Sequence, residues 1–225
     1  MSVLVLDTET SGISNSRPVQ IAYYELGENI NDLSVLSKFS KMYNPECPIS
    51  IGAMAACHIL DSDVADSPSY TEFKFPDNVS YVVGHNIDFD CGVLGLSGVK
   101  RIDNLALARK YIKGLDSYSQ NAVAYYIFSN NRLKIRDVLK NAHSAEVDVY
   151  VCHIVLKYLI KLINPVSWED LYLKSEAARI PEEMPFGKYK GKSIAEIDLG
   201  YKLWLLKLPD LDVYLKKAVE NSMSE

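Results

Sequence analysis

The feature that most constrains this chain is an apolar run that leads directly into two carboxylates. Val3-Leu4-Val5-Leu6 predicts a buried strand, and Asp7 and Glu9 continue it without a turn residue between them. Residues i and i+2 of a strand point to the same face of a sheet, so both carboxylates share one face. An unpaired carboxylate costs several kcal/mol or more to bury. These two acids therefore need a partner.

Two further acids occupy apolar positions of predicted helices. Asp148 precedes Val151 and Val155 by three and seven residues, within the apolar stripe of a helix predicted over 144–162. Asp90 precedes Val93 and Leu94 in a similar way. Few basic residues share these faces, and hard divalent cations prefer carboxylate oxygens. The four acids together therefore predict a metal site, although each one alone could instead cap a helix or reach a sheet edge.

Composition places the chain among globular proteins. Its 225 residues include 48% apolar residues, and 24 Lys and Arg against 29 Asp and Glu give a net charge of −5. This excludes disorder and coiled coil, and the length fits one medium domain with a small appendage.

The longest uncharged stretches, 47–60 and 117–131, are too short and polar for a membrane span, and no secretory leader is expected. The four cysteines show no CxxC spacing, so neither a zinc site nor a disulfide framework is indicated, and we expect a cytoplasmic protein.

Strand-like and helix-like segments alternate along the chain, which favours an α/β domain with a mixed sheet. Strands are predicted at Ser2–Glu9, Arg17–Leu26, Ser34–Tyr43, Tyr81–Val83 and Arg101–Ile102. Besides the helix over 144–162, for which Ser144 is the expected N-cap, helices are predicted at 54–58, 61–65, 88–96, 104–112, 121–128 and 135–141. A charged, proline-containing segment after Pro165 suggests a linker with a short helix. A last unit starts near Phe186 with a turn rich in Gly and Lys and continues as helix.

Three segments resemble the motifs of DEDDh 3′–5′ exonucleases. Asp7–Gly12 (DTETSG) matches DxET[ST]G, His85–Asp90 (HNIDFD) matches HNxxFD, and His143–Asp148 (HSAEVD) matches HxAxxD, in the family's order and with similar spacing. Gly84 and Ser144 depart from the residues common in related sequences, but neither is a candidate ligand.

Two weaker segments and the tail support the same resemblance. Pro45, Ile49, Ala53 and His58 look like the family's Pro–Ile–Ala–His segment. The stretch 103–109 (DNLALAR) is similar to DTLxLAR, with Asn where Thr is usual. The tail, with FGKYKGK at 186–192 followed by Tyr201 and Trp204, looks like the C-terminal module of the exodeoxyribonuclease X group within this family.

The resemblance implies an α/β, RNase H-like fold, a mixed five-stranded sheet flanked by helices, with a small C-terminal module. The implied division is an exonuclease domain at 1–163, a linker at 164–185 and the C-terminal module at 186–225. The implied enzyme removes 5′-mononucleotides from DNA 3′ ends, single-stranded or duplex, in DNA repair or recombination.

The resemblance also implies roles for five residues. Asp7, Glu9 and Asp148 would hold one Mg²⁺, a second ion would be bound mainly through Asp7, and Asp90 would complete the site, with Mn²⁺ as a possible substitute. His143 would take the proton of the attacking water, because an imidazole titrates near neutral pH. Taken alone, a His before a helix is more often a surface or capping residue than a catalyst.

The expected substrate contacts each have a structural alternative. Thr10 belongs to the first motif, and Ile13 either presses on the terminal base or anchors its loop. His58 resembles a position near the 3′-terminal nucleotide, or it packs at a helix end. Asn86 either holds the substrate backbone or caps the next helix.

Two basic groups are candidates for phosphate contact. Lys188 and Lys190, with Lys192 and Tyr189, interleave charge with glycine and an aromatic ring, which suits contact with a nucleic acid, or they form a solvated turn. The other group is Arg132, Lys134, Arg136 and Lys140.

Other functions are consistent with parts of the pattern. The same acids could hydrolyse RNA, since contact with the 2′-hydroxyl is not visible in a sequence. A proofreading subunit of a DNA polymerase and a non-catalytic binding module are the remaining alternatives. A haloacid-dehalogenase-type phosphatase is disfavoured, because Glu9 stands where that chemistry needs an Asp. No membrane partner is expected, and the oligomeric state is not indicated.

Overall fold

In the computed structural model, which describes residues 2–140 and 142–224, the N-terminal strand lies at the centre of a mixed sheet. The strands of this part of the chain are β1 (Ser2–Thr10), β2 (Pro18–Leu26), β3 (Val35–Met42), β4 (Val79–Gly84) and β5 (Lys100–Asp103). Their order is β3-β2-β1-β4-β5. The pairs β3–β2 and β2–β1 are antiparallel, and the pairs β1–β4 and β4–β5 are parallel. The predicted α/β class and the five-stranded mixed sheet are confirmed.

The predicted helices of the first 163 residues are present with shifted ends. The first begins at Ile51 rather than Met54, because the Ser50 hydroxyl accepts a hydrogen bond from the Ala53 N–H and caps it. The helix predicted over 135–141 begins at Arg132, and Asn141 lies outside the described residues. The helices are α1 (Ile51–Cys57), α2 (Asp61–Val64), α3 (Ile87–Val93), α4 (Asn104–Tyr111), α5 (Gln120–Ile127), α6 (Arg132–Leu139) and α7 (Ala145–Ile163).

The two faces of β1 are covered by different helices. Leu4 and Leu6 are fully buried in a cluster with Ile87 and Cys91 of α3. The alternate residues, from Val5 onward, face the other side, where α7 packs on β1 and β2. This two-sided burial explains the unbroken apolar run at the start of the chain.

The predicted N-cap position of Ser144 is confirmed, but its side chain makes no capping hydrogen bond to α7. The side-chain oxygen of Gln20 on β2 instead accepts a hydrogen bond from the Ala145 N–H at 3.0 Å. A residue of the sheet thus fixes the start of α7.

The structure forms two compact units, with the boundary between Ser175 and Glu176. The segment predicted as a linker contains α8 (Trp168–Arg179), and the boundary falls inside that helix. The second unit has short 3-10 turns followed by α9 (Leu199–Leu205) and α10 (Val213–Ser224). The predicted domain limits, 1–163, 164–185 and 186–225, stay predictions. The core of the second unit is formed by Met184, Ile194, Ile197, Leu205, Leu215, Ala218 and Val219.

Within the described ranges, no single helix is long and apolar enough to cross a membrane. Only the bent pair α7 and α8 meets the length and composition limits together.

Gly84, at the end of β4, lies where no larger residue fits without a shift. A Cβ atom at this position would lie 2.6 Å from Ile87 Cδ1 and 3.2 Å from the Leu6 carbonyl oxygen. Gly84 therefore allows α3 to begin directly against β1. Gly92, near the end of the same helix, has open space around the corresponding position.

Gly84→Ala is expected to destabilise the protein by about 1–3 kcal/mol, because the added methyl overpacks a fixed contact. Gly92→Ala is the matched control and should be neutral or stabilising by up to about 1 kcal/mol, since alanine favours a helix. Urea denaturation of both variants measures the difference. Equal stability of the two variants would contradict the close approach at Gly84.

Candidate active site at the end of the central strand

Three carboxylates from two elements meet beyond the apolar part of β1. Asp7 and Glu9 lie on β1, and Asp148 lies on the first turn of α7 and is 8% exposed. One carboxylate oxygen from each of the three lies within 4.8 Å of the other two. The packing of α7 on the face of β1 that carries Asp7 and Glu9 brings them together, so the structure places these predicted residues in one cluster.

The fourth acid, Asp90 on α3, is held beside this cluster by Thr8. Its Oδ1 accepts hydrogen bonds from the Thr8 N–H at 2.9 Å and from the Thr8 hydroxyl at 2.8 Å. The pairing of β1 with β4 ends at Val5 and Val83, so the Thr8 N–H makes no hydrogen bond to β4 and can bind Asp90. Thr8 was not identified from the sequence, although alternation places its side chain opposite those of its two acidic neighbours.

Asp148 is oriented by neutral donors. Its Oδ2 accepts a hydrogen bond from the His143 backbone N–H at 2.9 Å. The Gln120 side-chain amide donates to the Asp148 carbonyl oxygen at 3.0 Å and to its Oδ1 at 3.3 Å. Gln120 was missed because nothing local in the sequence connects α5 with a residue 28 positions later.

Asn104 ties the same helix to α4. It is fully buried, and its amide donates to the Cys152 carbonyl oxygen at 3.0 Å and contacts the Cys152 Sγ at 3.2 Å. Cys152 lies one turn after Asp148 on α7. The Asn that replaces the family's usual Thr thus helps to set the position of the helix that carries Asp148.

His143 adopts a left-handed backbone conformation with φ of 67°. This conformation directs its N–H toward Asp148, while its side chain is exposed. His143, the predicted general base, therefore lies next to the acidic cluster, because its backbone N–H is bonded to Asp148. Its imidazole is accessible to solvent.

Burial raises the pKa of each of the four acids, and repulsion within the cluster adds to this for Asp7 and Glu9. Burial, followed by the charges of Asp90, Asp148 and Glu9, raises the pKa of Asp7 well above its usual value. Burial and the charges of Asp148 and Asp90 raise the pKa of Glu9 to about 7. Burial raises the pKa of Asp90 to about 7 against the lowering effect of the Thr8 hydrogen bonds, and it raises that of Asp148.

A divalent cation fits this arrangement. Among the described residues, no Lys, Arg or His forms an ion pair within 4.0 Å with any of these acids. Clustered carboxylate oxygens without a basic partner suit a hard cation. The residues present can therefore hold a metal ion.

A cavity of about 790 Å³ adjoins Glu9. Thr10 and Ile13 line it on one side, and Ser50, Gly52 and Ala53 line it on the other. The Ile13 side chain is 91% exposed, so the expectation that it anchors its loop is wrong. Its position on the cavity wall leaves it free to touch a ligand. The Thr10 hydroxyl donates to the Gly12 carbonyl oxygen and shapes the same loop.

The remaining predicted contacts are more scattered. His58 is exposed and ends α1 in a left-handed conformation with φ of 59°, and it does not line this cavity. Asn86 occupies the N-cap position of α3 with a φ of 75°, but its side chain makes no capping hydrogen bond. Its N–H donates to Asp103 Oδ1 at 2.9 Å. Lys188 and Lys190 are exposed in the second unit.

Comparison with known proteins identifies related sequences and structures. The profile of the Exonuclease (RNase T) family matches residues 4–156. Exodeoxyribonuclease 10 of Escherichia coli (strain K12) is 29% identical over 230 residues, covering 97% of this chain and 99% of that protein. A DNA polymerase III of PolC type from Pediococcus pentosaceus is 27% identical over 173 residues, covering 68% of this chain but 11% of that protein.

Two solved structures share the fold. Exonuclease X in complex with 5′ overhanging duplex DNA superposes with a TM-score of 0.60 at 25% identity, over 77% of this chain and 99% of that one. The zinc-bound complex of E. coli ExoI with single-stranded DNA gives a TM-score of 0.54 at 19% identity, over 77% of this chain and 42% of that one.

Glu9→Gln is expected to stabilise the metal-free protein at pH 8. Between about pH 4.5 and 7 the folded state keeps a proton on Glu9 that the unfolded state has lost, because burial and neighbouring charges raise the pKa of Glu9 to about 7. The stability linked to Glu9 is therefore present below about pH 4.5 and is lost as the pH rises through about 7. The variant should gain roughly 1–3 kcal/mol over the wild type at pH 8 and much less at pH 5.

Urea denaturation in EDTA at several pH values measures this gain. Glu146→Gln, which changes an exposed carboxylate on the same helix as Asp148, is the control and should show no such pH dependence. A gain for Glu9→Gln that stays constant between pH 5 and 8 would contradict the raised pKa.

Proposed function

The chain belongs to the Exonuclease (RNase T) family and is a nuclease, and on this premise we propose that it is a metal-dependent 3′–5′ exodeoxyribonuclease. It hydrolyses the last phosphodiester of a DNA 3′ end and releases a 5′-mononucleotide, in DNA repair or recombination. The single observation that carries this proposal is the meeting of Asp7, Glu9 and Asp148, without a basic partner, beside a cavity large enough for a nucleotide. The activity is assigned to the domain at 1–163.

The acidic cluster holds the metal. Asp7, Glu9 and Asp148 would hold one Mg²⁺, a second ion would be bound mainly through Asp7, and Asp90 would complete the site, with Mn²⁺ as a substitute. Two such ions, when bound, stabilise the attacking and the leaving oxygens of an in-line displacement. The protein keeps the carboxylates oriented for this purpose through the donors on Thr8 and Gln120.

His143 acts as the general base. Its imidazole is exposed to solvent while its backbone is bonded to Asp148, so it can accept a proton from a water molecule next to the cluster. The neutral imidazole takes this proton as the water attacks phosphorus. The bond to the 3′ oxygen of the preceding nucleotide breaks, that oxygen takes a proton from solvent water, and a new 3′-hydroxyl remains on the DNA.

The terminal nucleotide occupies the cavity beside Glu9. Ile13, with its exposed side chain, contacts the terminal base, and Thr10 holds the loop that forms the wall. His58 and Asn86 are assigned to contacts with the DNA strand farther from the terminal nucleotide's cavity. An exodeoxyribonuclease aligns with 97% of this chain at 29% identity, which supports DNA as the substrate, with RNA as the alternative.

A gel assay on 5′-labelled single-stranded DNA and on RNA of the same sequence tests the proposal. With Mg²⁺, the wild type should shorten the DNA stepwise from its 3′ end, and EDTA should abolish this. Asp7→Asn should lose at least about a thousandfold in rate, because one cluster carboxylate is removed without a change in shape.

Asp66→Asn changes an exposed carboxylate outside the cluster and should cleave like the wild type. Faster cleavage of RNA would keep the mechanism and change the substrate. Cleavage that survives both EDTA and Asp7→Asn would refute the proposed site.

Thr8→Val should weaken metal binding about 10- to 100-fold, because the variant keeps the shape and the N–H but loses the hydroxyl bond to Asp90. Calorimetric titration with Mn²⁺ measures the affinity. Thr71→Val, at an exposed threonine away from the cluster, is the control. An unchanged Mn²⁺ affinity of Thr8→Val would mean that the Thr8 hydroxyl plays no part in positioning Asp90 for metal.

A further inference from the structure

The second unit carries a chain of three aromatic rings that ends in an exposed tryptophan. The Trp204 side chain on α9 is 48% exposed, and its ring centroid lies 5.0 Å from that of Tyr201. Tyr201 in turn lies 4.9 Å from Tyr189 in an edge-to-face arrangement. Tyr189 and Tyr201 pack against the core of the unit, whereas Trp204 is outside that core. The two tyrosines therefore lie between the core and Trp204, and Trp204 is held at the surface by its contact with Tyr201.

Lysines surround the other end of this chain of rings. The stretch 186–192 carries Lys188, Lys190 and Lys192 and no acidic residue. The Nζ atoms of Lys188 and Lys192 lie 4.8 and 5.6 Å from the centroid of the Tyr189 ring. Positive charge is thus placed directly against the aromatic rings.

The lysines sit on a closed backbone turn. The Lys190 N–H donates to the Gly187 carbonyl oxygen at 3.2 Å, and the Lys192 N–H donates to the Tyr189 carbonyl oxygen at 2.9 Å. Gly187 has a φ of 74°, and a Cβ atom there would lie 2.7 Å from the Tyr201 hydroxyl oxygen. Only glycine permits this approach, which holds the lysine turn against the aromatic chain.

One acid borders this surface. Asp198 accepts hydrogen bonds from the Tyr189 hydroxyl and, at 2.9 Å, from the Tyr201 N–H. It fixes the two tyrosines, and its charge is opposed by the neighbouring Lys188. Lys188, Lys190 and Lys192 are all exposed, so positive charge outweighs this one acid on the surface.

We infer that this aromatic–lysine face, formed by the turn 187–192 with Tyr201 and Trp204, binds single-stranded DNA. Trp204 stacks on an unpaired base, and the lysines contact the phosphates on either side. An exposed ring that is linked through Tyr201 and Tyr189 to a turn carrying lysines suits a single-stranded nucleic acid, because every base offers a ring face and every nucleotide offers a phosphate. The choice of DNA as the ligand rests on the proposed function, while the face itself lies entirely in the second unit.

Trp204→Ala in the full chain tests the stacking. Binding of a 5′-fluorescein-labelled oligothymidylate is measured by fluorescence anisotropy in EDTA, so that no hydrolysis occurs. The dissociation constant should rise about 5- to 100-fold, as expected when one stacked base is lost. Trp204→Phe should restore most of the affinity, and Leu203→Ala, at an exposed neighbour on the same helix, should bind like the wild type.

The lysines are tested by the salt dependence of binding. For single strands, each phosphate contact contributes about 0.7 to the slope of log affinity against log salt concentration. Changing Lys188, Lys190 and Lys192 together to Gln should reduce this slope by about 2. Trp204→Ala should leave the slope unchanged, as should Gln at both Lys216 and Lys217, which are exposed on α10 of the same unit.

The outcomes separate this inference from the proposed function. If the wild type fails to cleave DNA but Trp204→Ala weakens binding, the nuclease proposal is wrong and the binding face stands. If the wild type cleaves DNA and Trp204→Ala and the triple lysine variant both bind like the wild type, the face does not bind DNA. In that case a protein surface would be the next ligand to test on this face.

Discussion

The mutual repulsion of four partly or fully buried carboxylates at the end of β1 is the constraint on which the rest of this structure depends. Asp7 and Glu9 continue a strand whose preceding residues are buried on both faces, so the acids cannot turn away without disrupting the sheet. Asp90 and Asp148 are brought to the same place by α3 and α7. The apolar centre of the sheet offsets the cost of holding these charges close together.

The fold holds the acids with neutral donors instead of cations. Thr8 donates to Asp90 through both its N–H and its hydroxyl, and Asp148 is held by the His143 N–H and the Gln120 amide. A lysine in these positions would neutralise the cluster and compete with a metal ion. Neutral donors orient the carboxylates and leave their negative charge available to a cation.

The candidate acids could be predicted because each breaks a local pattern. A carboxylate at the end of an apolar strand, or inside the stripe of an amphipathic helix, is visible within a few residues of sequence. The exposed position of Ile13 could not be predicted in this way. Nor could the absence of a capping hydrogen bond from the side chains of Asn86 and Ser144. Each of these residues has a local role that is chemically reasonable, and only the neighbouring elements decide whether the role is used.

By itself the sequence determined which residues share a face: the alternation along β1 and the helical repeat of α7 set the direction of Asp7, Glu9 and Asp148 relative to their own backbones. Only the tertiary structure decided their partners. The bonds from Thr8 to Asp90 and from Gln120 to Asp148 span 82 and 28 residues. They exist because β1 extends beyond the end of β4 and because α5 packs against α7. Periodicity fixes the direction of a side chain, whereas its partner depends on which surfaces meet when the chain folds.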